Sequence, residues 1–190
     1  MMVLLTEQAM TLEEFLAFDD GTEASYELEN GRLRAMPTES EINCIIASLL
    51  FGHFLQAGIP AIQIRQKTEL AVIGIRTTVR IPDLMVLSPE LVQLLKGSPR
   101  SLITLDMPPP SLVVEVVSPG QVNIDRDYRF KRSQYESRGI PEYWIVDPMV
   151  EQITILTWVR GLYEEKVYKT GDPIESAWVQ GLKVDQVLGA

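Results

Sequence analysis

The run "PPPSLVVEVVSPG", residues 108 to 120, places one carboxylate, Glu115, in the middle of an apolar stretch between a proline cluster and Pro119-Gly120. A short apolar run bounded by turn signals reads as a strand covered on both faces. Glutamate is almost never fully buried unless it is paired or holds a metal. Glu115 therefore constrains the chain twice. The fold must contain a covered central strand, and that strand must bring the carboxylate to a partner, either an arginine or a cation bound through oxygen.

The elements around this strand follow from local signals. Thr11 with Glu14 three positions on is a capping box that opens a short helix. "SYELENGRLRAMP" alternates and turns at Asn30-Gly31, the pattern of a hairpin. In "SEINCIIASLLFGHFLQAG" the residues Ile42, Ile45, Ile46, Leu49, Leu50 and Phe54 predict an amphipathic helix closed by Gly58. Residues 62 to 87 read as two or three strands, and "SPELVQLL" reads as a short helix. A helix from about Ile124 to Arg138 then separates "SLVVEVVS" from "EYWIVDP", and "QITILTWV" and "LYEEKVYKT" add strands. Strand, helix, strand in that order predicts one parallel pair within a mixed sheet. The expected class is α/β or α+β, a central mixed β-sheet flanked by helices. With 190 residues the chain is expected to form a single domain, its core over about 26–150 and carboxyl-terminal strands over 151–190.

A second acid stands beside a proline in "RTTVRIPDLMVL". Pro82 cannot donate to a ladder, so it marks an edge, a bulge or a strand start and leaves Asp83 outside regular pairing. Magnesium or manganese takes hard oxygen ligands, commonly one or two carboxylates with waters and substrate oxygens. Asp83 and Glu115 on neighbouring strands would supply that pair. Farther on, Asp127, Lys131 and Tyr135 are spaced by four and form one stripe of the predicted helix, with Tyr128 beside Lys131. A lysine on that stripe could orient or deprotonate a water and stabilise phosphoryl charge, or simply form an exposed pair with Asp127.

Charge narrows the partners. The net charge of -9 and pI near 4.7 weigh against nucleic acid as a partner, so a nucleic-acid reading must find a local basic patch. Residues 124 to 138 hold five basic against three acidic groups, a local +2 that leaves -11 for the remainder. One cysteine and one histidine, Cys44 and His53, make a zinc site of those ligands implausible, so any metal is expected on oxygen. Cys44 is expected to be a small apolar filler and His53 a packing residue, with Trp144, Trp158 and Trp178 in the core or an interface. No stretch approaches the roughly 18 apolar residues that span a bilayer, and Glu7, Glu13 and Glu14 do not suit a secretory leader, so a cytoplasmic protein without membrane association is expected.

The segments "YELENGRLRAMP", "RIPDLMVLS", "PPPSLVVEVVSPG" and "DYRFKRSQYESRGIPEYWIVDP" together resemble the Uma-two family of endonucleases in the PD-(D/E)xK, restriction endonuclease-like superfamily. The resemblance implies a magnesium-dependent site hydrolysing DNA phosphodiester bonds. It implies Asp83 as the acid of the "PD" and Glu115 as the acid of the "ExK". The lysine expected two residues after the acid is Val117, so the resemblance places that role on Lys131 of the following helix. Val116 would then offer its carbonyl to the metal beside Asp83 and Glu115, and Asp127 and Tyr135 would position the lysine or touch substrate. The resemblance implies a histidine after the "MP" turn in many relatives, where this chain has Asn43. Glu39 or Glu41, near the same helix start, is either an outer metal-shell acid or surface capping. Cutting both strands of a duplex suits two-fold symmetry, so a homodimer is expected. Two other readings stay open: an inactive nuclease-fold binding or assembly module, and a metal-dependent hydrolase of a small phosphorylated substrate.

Overall fold

The computed structural model describes residues 9–189; Glu7 lies outside the described residues. Thr11 caps α1 (Leu12–Ala17) with the reciprocal Glu14 bond. The hairpin of β1 (Tyr26–Glu29) and β2 (Arg32–Ala35) turns through Asn30 and Gly31, both at positive φ, 51° and 78°. That is the backbone a two-residue type I′ loop requires. Ser40 caps α2 (Glu41–Gln56) through Asn43 N–H. Four short strands then follow where the alternation suggested two or three: β3 (Ile64–Arg65), β4 (Glu69–Val72), β5 (Thr78–Arg80) and β6 (Leu84–Val86). Next come α3 (Pro89–Leu95), β7 (Leu102–Ile103) and β8 (Leu112–Val116).

The crossover helix begins earlier than its spacing predicts. It runs as α4 (Gln121–Asp125), a π-helical turn over Arg126–Lys131, and α5 (Arg132–Arg138). The chain closes with β9 (Glu142–Asp147), β10 (Gln152–Val159), β11 (Leu162–Lys169) and α6 (Val184–Leu188).

Among the described residues the strands form two mixed sheets where one was expected. The first has the order β2-β1-β5-β4-β7, the second β11-β10-β9-β8-β6-β3. In the second, β8 and β9 are the parallel pair joined by the crossover helix. The division falls at Pro82. The chain leaves the first sheet at Arg80 and enters the second at Leu84, so the residue that cannot donate to a ladder stands at the junction, with Asp83 beside it.

Alternation along β8 sorts its side chains. Val114 and Val116 pack with Ile46, Leu50 and Phe54 of α2 and with Trp144. Val113 and Val117 pack on the other face with Ile145, Tyr135 of α5, and Leu70 and Val72 of the first sheet. Glu115 belongs to that second face.

Helix α2 is rotated from its expected register. Ile42 and Ile45 are exposed at 39% and 42%, while Asn43 is buried with Ile46, Ala47, Leu50 and Phe54. The reason is polar: the Asn43 amide bonds β8, which turns that side of the helix inward. Cys44, expected as filler, is exposed in consequence. Trp144 is fully buried, Trp178 packs against the same core, and Trp158 is 40% exposed. No helix among the described residues is long and apolar enough to cross a membrane.

Candidate active site

Leu84 pairs with Val114 in the antiparallel β6–β8 ladder, so Asp83 and Glu115 occupy the next position on the two strands. Asp83 Oδ2 accepts from Val116 N–H at 2.6 Å, which fixes its carboxylate against β8. Glu115 is 2% exposed, and both its oxygens are engaged: Oε1 accepts from Tyr135 O–H at 2.6 Å, and Oε2 meets Lys131 Nζ at 2.6 Å. Lys131 Nζ also lies 3.1 Å from Asp127 Oδ1, and both groups are buried. The partner of Glu115 is thus a lysine and a tyrosine, not an arginine, and the Asp127–Lys131 pair is not a surface bridge.

Asp127 and Lys131 lie on the π turn of the crossover helix and Tyr135 on α5 beyond it. The i→i+5 bonding of that helix segment widens the turn and is frequent at functional positions. Asp127 is held by its own carbonyl, which accepts from Tyr143 O–H at 3.0 Å. Tyr128 points away, donating to Asp147 at 3.2 Å. Tyr135 positions Glu115 rather than the lysine.

Burial pushes the Asp83 carboxyl up to about 6, against the opposing pull of Lys131 and the Val116 N–H, with Asp127 and Glu39 adding to the rise. Burial likewise raises Glu115, more than Lys131 offsets, with Asp83 and Asp127 raising it further. Burial alone would lower Lys131, but Asp127, Glu115 and Glu27 outweigh it and hold the ammonium protonated. That direction favours the charged donor among the roles open to Lys131.

The expected carbonyl ligand is also engaged. Val116 C=O accepts from Asn43 Nδ2 at 3.2 Å, and the same amide reaches Ser118 Oγ at 3.1 Å. Glu39 and Glu41 are exposed; Glu39 accepts a contact from Cys44 Sγ at 3.5 Å and reaches Asp83 through its field.

A divalent cation fits this donor set. Two carboxylates that repel each other in a buried setting gain from one, and a carbonyl or carboxylate oxygen engaged once keeps a second lone pair. Among the described residues no three Asp, Glu, His or Cys side chains converge on a common point. Asp83, Glu115 and the Val116 carbonyl would therefore hold the ion with water and substrate oxygens completing its shell, the usual condition of protein-bound magnesium.

A second buried network, which sequence reasoning missed, lies against the first. Arg80, fully buried, donates to Glu27 at 3.0 Å, to Glu29 at 2.8 Å and from Nε to Gln134 Oε1 at 2.9 Å. It ties the strand leading to Asp83 to the helix bearing Lys131. The only local signal was an arginine three residues ahead of Asp83.

Two mixed sheets flanked by helices, with Asp83 where the chain crosses between them and Glu115 beside it on β8, form an α+β fold of the restriction endonuclease-like class. A solved structure described as "a putative nuclease belonging to DUF820 from Anabaena variabilis ATCC 29413" has this fold, with a TM-score of 0.67 at 15% identity, over 95% of this chain and 98% of that one. The chain belongs to the Uma2 family, described as "Putative restriction endonuclease", whose model matches residues 12–186. No curated protein matches its sequence significantly.

Proposed function

We propose that the protein is a magnesium- or manganese-dependent endonuclease that hydrolyses DNA phosphodiester bonds. The observation that carries the reading is the buried Glu115 beside Asp83, each held by a separate donor, with the Lys131 amine between Glu115 and Asp127. When bound, the metal ion supplies Lewis-acid polarisation of a phosphoryl oxygen and a water that is nucleophilic near neutral pH. Asp83, Glu115 and the Val116 carbonyl hold that ion. Lys131, kept charged, orients the water and stabilises charge developing on the phosphoryl oxygens. Asp127 and Tyr135 fix Lys131 and Glu115 respectively, and Asn43 sets the Val116 peptide.

Plasmid nicking by wild type and Lys131→Ala, in magnesium, in manganese and in chelator, tests the reading. Metal-dependent cutting by wild type, reduced at least 100-fold in the variant, is expected. Wild type that cuts under neither metal moves the function to a binding module on the nuclease fold.

A second copy of the chain belongs to the same reading, one site for each strand of a duplex. The eight-residue edge strand β11, with Leu162 and Val167 outward, suits the pairing, and sedimentation of the free protein decides it.

A further inference from the structure

Three cations stand around the carboxylate cluster, and their donors are unequally committed. Arg80 is saturated by Glu27, Glu29 and Gln134 and is fully buried, so it cannot meet a substrate. Lys131 divides its charge between Glu115 and Asp127. Arg126 differs. Its Nη2 donates to Asn123 Oδ1 at 2.5 Å, while its Nε is buried without an acceptor and lies 3.7 Å from Asp127 Oδ1, too far for a hydrogen bond. Among the described residues Nη1 has no hydrogen-bond partner either.

The Nε faces inward toward Asp127 and is out of a ligand's reach, so Nη1 is the donor of this head left for an incoming acceptor. The head is also preorganised. Asn123 donates its own amide to Pro119 C=O at 2.7 Å, so Arg126 is pinned to the loop leaving the strand of Glu115. The side chain is 12% exposed, which leaves one edge open to an incoming group. Arg126 opens the π turn and Lys131 closes it, five residues apart. In the i→i+5 geometry of that turn the two approach one side of the helix, whereas an α-helix would set them well apart. The π turn thus brings a second cation toward the cluster.

We propose that Arg126 is a phosphate-binding residue of this site, taking a non-bridging oxygen of the substrate backbone through Nη1, the nitrogen of its head that is neither bonded nor buried. The assignment rests on the nuclease reading above and deepens it. Guanidinium is suited to the task because it keeps its charge at any working pH and gives a charge-assisted bond to a phosphate oxygen. It would also offset the local excess of carboxylate that an anionic backbone meets here.

The test is binding of a fluorescein-labelled 20-base-pair duplex, in chelator, across a salt series, to wild type, Arg126→Gln and Arg126→Lys, with cleavage of the same duplex in magnesium. Arg126→Gln is expected to weaken binding about 10- to 100-fold and to lower the slope of log affinity against log salt by about one. Arg126→Lys is expected to keep the slope and recover part of the affinity, which a merely structural role would not produce. Equal affinity and slope in wild type and Arg126→Gln overturns the assignment while leaving a cleaving wild type, and so the nuclease reading, intact. Should Arg126→Gln fail to fold, an Arg126→Lys protein with a lowered slope overturns it equally. Wild type that neither binds nor cuts overturns both.

Discussion

At Asp83, burial sets the carboxyl near 6, above the value of about 3.9 for a free aspartate. The folded chain therefore takes up a proton more readily than the unfolded chain, and stability is lost as pH rises through the interval from about 4 to 6. Asparagine in its place still accepts from Val116 N–H but cannot ionise. In chelator, Asp83→Asn is expected to melt a few degrees above wild type at pH 7, and the gap is expected to close by pH 4. Millimolar manganese should raise the wild type and not the variant; thermal melting in the four conditions reads both. Tyr135→Phe leaves the edge-to-face contact with Tyr143, at 4.9 Å between centroids, and removes the hydroxyl bonded to Glu115. It is expected to cost about 1–3 kcal/mol in urea unfolding, the usual consequence of leaving a buried acceptor without its donor. These residues were legible in the sequence because each breaks a local pattern: an acid in an apolar strand, an acid after proline, and a lysine and a tyrosine spaced by four. Arg126 was not, since nothing in "NIDRDYRFK" says which of its cations turns inward.

Elements are tied to one another here by charge as well as by packing. The Arg80–Glu27 pair, 53 positions apart in sequence, joins β5 to β1, and the Arg80–Gln134 bond joins both to α5. The carboxyl of Glu27 is raised by burial but lowered overall by Arg80, Lys131, the Ile81 N–H and Arg126. Its contribution is present above about pH 4.5 and is lost as pH falls below that, the ordinary acid-unfolding direction. Arg80→Leu strands two carboxylates and is expected to destabilise by about 3–5 kcal/mol, whereas Arg80→Leu with Glu27→Gln recovers a measurable part. Additive losses in denaturant unfolding would show that the pair is not coupled. Most element types and approximate bounds were legible, because caps, the Asn30-Gly31 turn and apolar periodicity act locally. The second sheet, the π turn and the rotation of α2 were not. Strands of two to four residues carry little periodicity, and the rotation depends on an amide of Asn43 meeting a carbonyl 73 positions away.

For the whole molecule, the net charge of -9 opposes an approach to DNA while the cations of the site favour the final contact. The two effects have different ranges. Repulsion between the acidic surface and the phosphate backbone acts over many ångströms, and about 0.1 M salt cuts it to a Debye length of roughly 10 Å. The phosphate contacts proposed for Lys131 and Arg126 would be short, partly buried and much less screened. The run of basic residues from 124 to 138 does little to tip this balance at long range, because Arg129 pairs with Asp125 and Arg132 with Glu165. A nuclease with a basic surface loses activity steadily as salt is added, through competition with released counterions. This chain should behave otherwise. At fixed magnesium, second-order cleavage of a short duplex is expected to rise between roughly 10 and 75 mM potassium chloride as repulsion is screened, and to fall beyond roughly 200 mM as the phosphate contacts are lost. A steady fall from the lowest salt would mean that the duplex meets a locally basic face and that the net charge has no part in its capture.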